Sequence, residues 1–359
     1  MLFFNVGTLL LIIFEWHLFT TMTKHTELYN FLINKNSPSE KILFHPILMQ
    51  FAAKINNSSY TEFMTDYRVL VESNVKCLEL TDHDIVGLIS DPFRETAAFG
   101  GKVEFSGDLN PVCNPIVLSL KDIESLKNPN VYKSERTHDR IMGAKYFHDI
   151  LGYDIPVYGW IEGPLAEAAD LAGVNNILLK LLMEPDFVRK LMDICVITAK
   201  DFAKAQVEAG CLLIGIGDAI CSQVDPETYH SMILPLHQEI IDYIHVIGAF
   251  TKLHICGDIT HILPELALTG TDILDLDWMV NFSTAREKCG NKMILCGNLD
   301  PVSCIQKKNP EEINKCSQQL INDQKNSRFI LSGGCEITRD TPVENLIAMK
   351  HALFNSTTR

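Results

Sequence analysis

His254 and Cys256 stand two residues apart in LHICGD, and a third candidate ligand, Cys335, stands in LSGGCEI near the end of the chain. In extended backbone, residues i and i+2 point to the same side, so a strand here would turn the imidazole and the thiolate toward one ion. Zinc accepts mixed nitrogen and sulfur ligands, and three protein ligands leave a fourth position open for a substrate. A structural zinc more often shows a CxxC pair, and this chain has none. Taken alone, His-x-Cys is a weak signal that fits a satisfied core histidine beside a buried cysteine better, so the elements that carry the motif must decide.

Those elements read as a parallel α/β fold. Short apolar runs at 157–161, 211–216, 250–255, 273–276, 293–296 and 328–331 alternate with amphipathic stretches such as 185–208, 226–248, 259–269 and 310–324. Near-continuous apolar strands between helices signify a parallel sheet buried on both faces. Six units in this half alone suit a closed (β/α)8 TIM-type barrel, with 76–80 and 85–88 as the expected first strands. Residues 23–66 read as an N-terminal helical cap. No linker, repeat or composition break divides the chain, so residues 22–359 are expected to form a single barrel domain.

In such barrels the loops after the strands' C-terminal ends build the active site. Glu162 follows the 157–161 run, Asp218 follows the 211–216 run, and His254 with Cys256 ends the 250–255 run. Asp277, Asn298 and Cys335 end later ones. Convergence on one rim favours the ligand reading, as do the glycines beside Cys335.

The bulk properties set bounds. A net charge of −14 would repel nucleic acid and anionic lipid, leaving a small molecule or a basic protein face as partner. Eleven cysteines, odd in number and scattered through apolar runs, are not a secreted disulfide framework and indicate a reducing, cytoplasmic interior. The first twenty-one residues are largely apolar. No basic residue precedes that stretch, Glu15 and His17 interrupt it, and Met22 opens a natural start. Residues 1–21 are therefore expected to be a start-site artefact or non-core segment rather than a membrane anchor.

From Ile89, the run ISDPFRETAAFGGKVEF resembles the uroporphyrinogen decarboxylase superfamily, as do GIGDAICSQVDPETYHSMILPLHQEI, GNLDP at 297–301 and GGCEITRDTPVENL. The resemblance is collinear over nearly everything after about residue 30. It implies the barrel fold, and it places Asn298 and Asp300, in GNLDP, among candidate cofactor contacts. Asp91 matches the aspartate that meets the pyrrole nitrogens in the decarboxylases. Their N-terminal Arg-Gln-Ala-Gly-Arg is Met49-Gln50-Phe51-Ala52-Ala53 here, with both arginines gone. Their active-site tyrosine aligns near Asp170, and their late Gly-His-Gly is Gly334-Cys335-Glu336.

These departures point to the superfamily's other branch. His254, Cys256 and Cys335 look like the zinc motif of cobamide-dependent methyltransferases, which serve coenzyme M or tetrahydrofolate in one-carbon metabolism. That resemblance implies a zinc-activated thiol, a methyl-corrinoid as co-substrate on a separate corrinoid protein, and Asp91, Glu162 or Asp218 as catalytic or positioning residues. With a folate, Asp91 is the expected group for protonation at nitrogen. The alternatives are a uroporphyrinogen decarboxylase and a non-catalytic zinc- or corrinoid-binding protein.

Overall fold

The computed structural model describes residues 22–35, 37, 39, 41–324 and 327–356. The apolar segment at 1–21, and with it the expectation about the start site, lies outside the described residues. Eight parallel strands follow one another around a barrel. They are β1 (Leu43–Phe44), β2 (Val86–Gly87), β5 (Val157–Glu162), β6 (Leu213–Gly217), β7 (Phe250–His254), β8 (Ile273–Asp275), β9 (Ile294–Leu299) and β10 (Phe329–Gly333). A two-stranded antiparallel hairpin, β3 (Val103–Glu104) with β4 (Val112–Cys113), stands apart from them. β1 pairs with β10, and the seam between β1 and β2 carries the Asp84 N–H to the Phe44 carbonyl at 2.8 Å. The Phe44 N–H returns to Asp84 Oδ2 at 2.7 Å, so a carboxylate completes the closure where strands this short cannot.

The first strands differ from expectation. Residues 76–80 lie in the helix Tyr67–Thr81, whose buried positions Leu70, Asn74, Cys77 and Thr81 repeat every three or four residues, the helical period. The true first strand, β1, falls inside the region read as a helical cap. It is two residues long, too short for a period to show, and His45-Pro46 ends it. Helices elsewhere in that region run over Lys24–Ile33, Gln50–Ile55 and Tyr60–Thr65.

Two cores follow from the alternation of side chains along each strand. Outward residues such as Ile161, Ile216, Leu253, Leu274, Leu295 and Leu331 pack under the surrounding helices. Inward residues such as Tyr158, Trp160, Leu213, Ile273, Ile294 and Ile330 fill the barrel. Leu28, Phe31 and Leu32 of the first helix join the inner cluster near the strands' N-terminal ends, so the cap closes the floor. The opposite mouth is left for chemistry. Prolines at first-turn positions start several helices, among them Pro164–Ala172, Pro185–Glu208 and Pro310–Asp323. No helix among the described residues is long and apolar enough to cross a membrane.

Candidate metal centre and active site

β7 turns Lys252 and His254 into the barrel, and β8 sets Asp275 in register with His254. His254 Nδ1 lies 3.2 Å from Asp275 Oδ2, and Lys252 Nζ lies 2.9 Å from the same oxygen. Neither nitrogen has hydrogen-bond geometry toward it, so both contacts are ion pairs. With Nδ1 facing a carboxylate, Nε2 faces Cys256 Sγ at 2.9 Å. Burial alone would raise the Asp275 pKa, but Lys252 and His254 outweigh it and hold the carboxyl ionised.

Cys335 reaches the same point from the loop after β10. The Gly334 N–H bonds the Leu299 carbonyl at 2.8 Å. A Cβ at Gly334 would stand 2.2 Å from the Trp278 nitrogen, so only glycine lets this loop lie against the 277–278 segment. Cys335 Sγ then lies 3.7 Å from Cys256 Sγ, and the donor atoms of all three residues lie within 4.8 Å of one another.

The donor set fits zinc. Thiolates about 2.3 Å from a tetrahedral zinc stand roughly 3.7 Å apart, the separation found between the two sulfurs. The hydrogen bond from Cys256 lowers Cys335 to about 4, while Cys256, Asp275 and Cys335 outweigh burial and push the His254 imidazole up. A divalent cation would take the place of protons on these three donor atoms.

Beside the donors lies a cavity of about 180 Å3. Trp160 forms part of its wall, its ring lying over Gly215 and Gly217, where added Cβ atoms would come within 2.4 and 2.5 Å of it. The Trp160 Nε1–H donates to Glu162 Oε1 at 2.9 Å, and the Glu162 N–H donates to Glu95 Oε1 at 3.0 Å. Burial, with Glu95 and Asp170 nearby, pushes the Glu162 carboxyl well above the usual carboxylate range. Glu95 is raised to about 7 and Asp170 to about 8, each mainly by burial.

Asp91 lines the same cavity in the opposite electrostatic state. Arg136 grips it with two nitrogens at 2.9 and 2.7 Å, and Arg94 adds a third contact at 3.1 Å. Burial opposes ionisation, but the two guanidiniums hold Asp91 far below the usual carboxylate range. Asp91 thus stands as a carboxylate anchored by two arginines, whereas burial pushes up Glu162 and, to about 7, Glu336 on the same wall.

The remaining sequence candidates serve the scaffold. Asp218 is fully buried. Its oxygens accept from the Leu165 and Ala166 N–H groups, at the start of the helix Pro164–Ala172, and meet His237 Nε2 at 2.9 Å. Asp218, Cys221 and His237 also bring donor atoms within 4.8 Å, but the carboxylate is committed to this helix and histidine. Asn298 donates to the Asp277 and Val280 carbonyls at 3.0 and 2.7 Å, pinning the loop after β8. Asp300 accepts from the Val302 and Ser303 N–H groups and caps the turn that follows β9. Neither lines the cavity. Sequence reasoning passed over Lys252, Asp275 and Glu95, although a lysine inside TKLHI and the alternating aspartates of LDLD were visible signals.

The profile of the family described as uroporphyrinogen decarboxylase (URO-D) matches residues 35–354. The chain is 30% identical to the methylcobamide:CoM methyltransferase MtbA of Methanosarcina mazei over 282 residues, 76% of this chain and 81% of the relative. It is 27% identical to the uroporphyrinogen decarboxylase of Prochlorococcus marinus over 270 residues, 73% of this chain and 77% of the relative. A solved methyltransferase from Methanosarcina mazei has the same fold, with a TM-score of 0.85 and 22% identity over 93% of this chain and 99% of that one. By the span of the profile and the identity to these relatives, the chain belongs to the uroporphyrinogen decarboxylase family of enzymes.

Proposed function

We propose that the chain is a zinc-dependent corrinoid methyltransferase, moving a methyl group between a corrinoid protein and a thiol or tetrahydrofolate. Methyltransferase activity is supported by the relatives named methylcobamide:CoM methyltransferase. The observation that carries the zinc and thiol parts is the meeting of His254, Cys256 and Cys335 beside a cavity at the barrel mouth. Residues 22–359 act as one barrel domain in this reading, and eleven cysteines agree with a reducing, cytoplasmic setting.

His254 Nε2 and the two thiolates would hold the ion, and Asp275 fixes the imidazole's orientation from behind. When bound, zinc supplies the charge that lets an acceptor thiol stand as a thiolate at neutral pH. The walls exclude water and aim the acceptor toward the mouth. At about 180 Å3 the cavity falls below the roughly 300–1,000 Å3 of sites that enclose drug-sized ligands. A corrin ring therefore meets the rim from outside, which suits a corrinoid presented by a partner protein. For a tetrahydrofolate, whose nitrogen must exchange a proton, Glu162 is a wall carboxyl whose raised pKa suits that exchange. The decarboxylase alternative lacks its anchors: Met49 and Ala53 stand where its two arginines would, and Ala53 is fully buried.

The full-chain protein should retain about one zinc per chain, and Cys335→Ala should weaken retention by orders of magnitude. With methylcobalamin and a thiol or reduced folate, the corrinoid absorbance should change, stop changing on chelation and recover with added zinc. Full zinc occupancy in Cys335→Ala, or coproporphyrinogen formation that survives chelation, would refute this reading.

A further inference from the structure

We infer that Cys304 and Cys316 form a peroxide-reactive dithiol, in which Cys316 is oxidised first and Cys304 closes a disulfide onto it. The inference is independent of the zinc–thiolate reading, since neither sulfur belongs to the metal centre.

Most of the eleven cysteines are packing groups. Cys77, Cys195, Cys211, Cys221, Cys289 and Cys296 are buried in the two apolar cores, out of reach of solvent. Cys113 is half-buried, its sulfur 3.6 Å from the Asn114 carbonyl, and burial together with Asp170 pushes its thiol up. Cys304 and Cys316 are placed differently. The helical turn Pro301–Gln306, which follows β9, carries Cys304, and the helix Pro310–Asp323 carries Cys316. Lys308, in the link between them, touches both residues. Its backbone N–H donates to the Cys304 carbonyl at 3.2 Å, and its Nζ donates to Cys316 Sγ at 3.2 Å. The two thiols are hydrogen-bonded to one another. Cys304 is only 7% exposed, whereas Cys316 is half-buried, so an oxidant arriving from solvent meets Cys316 first.

This asymmetry suits an attacking sulfur and a resolving one. A cation beside a cysteine favours its thiolate, the form that attacks peroxides. The hydrogen bond to Cys316 pushes the Lys308 ammonium up, so its positive charge is present at neutral pH. Burial and the neighbouring Cys316 push Cys304 up to about 12, so that sulfur waits as a thiol. In the first step the Cys316 thiolate attacks one oxygen of a hydroperoxide. An S–O bond forms, the O–O bond breaks, and the leaving oxygen takes a proton and departs as water or an alcohol. In the second step Cys304 Sγ attacks the sulfenic sulfur. The S–S bond forms, the S–O bond breaks, and hydroxide leaves with the Cys304 proton as water. Two electrons pass from the two thiols to the peroxide, and a dithiol reductant returns them by exchange.

The test is a time course of the full chain with hydrogen peroxide, quenched by alkylation and mapped by mass spectrometry, so that each cysteine is followed separately. Cys113, half-buried and without the lysine contact, is the internal reference. The Cys304–Cys316 disulfide should form at least about tenfold faster than Cys113 is modified, and dithiothreitol should reverse it. Cys304→Ser should leave Cys316 as a sulfenic acid that dimedone traps, and Cys316→Ser should leave Cys304 unmodified over the same interval. Lys308→Met, a change on a side chain in the link, should slow disulfide formation roughly three- to tenfold. The comparison with Cys113 needs no substitution and decides even where a cysteine variant does not fold. Oxidation of Cys316 no faster than that of Cys113 overturns the inference. So does a product that leaves Cys304 a free thiol, whether a sulfinic acid at Cys316 or a bridge from Cys316 to Lys308, and so does an unchanged rate in Lys308→Met.

Discussion

Asp275 is the point at which the scaffold and the site can be pulled apart. One carboxylate oxygen meets both Lys252 Nζ and His254 Nδ1, at 2.9 and 3.2 Å. Asp275→Asn removes a charge with little change of shape and does two separate things. It strands the ammonium of Lys252, a fully buried side chain whose Nζ lies 5.5 Å from the centre of the Tyr158 ring. Breaking a buried pair by removing one partner costs about 3–5 kcal/mol. It also frees the imidazole from the carboxylate that orients it, a loss that elsewhere weakens metal binding roughly 10–100-fold. The double variant Lys252→Met, Asp275→Asn removes the stranded charge but not the orientation defect. Urea unfolding of the metal-free proteins should show Asp275→Asn destabilised by several kcal/mol and the double variant largely restored. Competition with a zinc chelator should show both weakened alike. A double variant no more stable than Asp275→Asn would refute the ion-pair argument, and unchanged zinc affinity in either would refute the positioning argument.

Two further outcomes follow from the geometry. Gly334→Ala should fold but lose most of its zinc, because the new methyl would displace the Cys335 loop from the Trp278 backbone; zinc analysis of the purified variant checks this, and wild-type content would contradict it. Glu95 has a folded pKa raised to about 7, so the folded state holds its proton more tightly than the unfolded chain. Stability must then fall as pH rises from the ordinary glutamate range toward 7, by roughly 3 kcal/mol from this group, and Glu95→Gln should flatten that part of the curve in urea titrations at pH 5, 6, 7 and 8.

The strands from β5 onward were legible because parallel strands buried on both faces leave long apolar runs, and because a rule of the fold places their following loops at one mouth. That reasoning, with the resemblance to the methyltransferases' motif, put His254, Cys256 and Cys335 together across 79 residues of chain. It failed at β1, where two residues suffice once Asp84 closes the seam, and at 76–80, where a short window hid the helical period. Asp218, Asn298 and Asp300 show a different limit. Each sits at a strand's end on the correct rim, and each side chain turns aside to hold a helix or loop. Rim position follows from chain order, whereas the side chain's direction depends on local hydrogen bonds that the sequence does not display.

Asp91 and Glu162 carry the same functional group, line the same cavity and are equally buried, yet the pKa of one is held down and that of the other is pushed up. Burial pushes both in the same direction. The difference is Arg136, 45 residues from Asp91 in sequence, together with Arg94, against the further carboxyls Glu95 and Asp170 that face Glu162. The helix Glu135–Leu151 delivers Arg136 to Asp91, and the segment that holds Glu95 leads from β2 past the Glu162 backbone. Protonation in this cavity is thus set by which helix ends approach which strand ends. The mouth of the barrel fixes where the chemistry occurs, and the packing of the outer helices fixes which carboxyl can give up a proton.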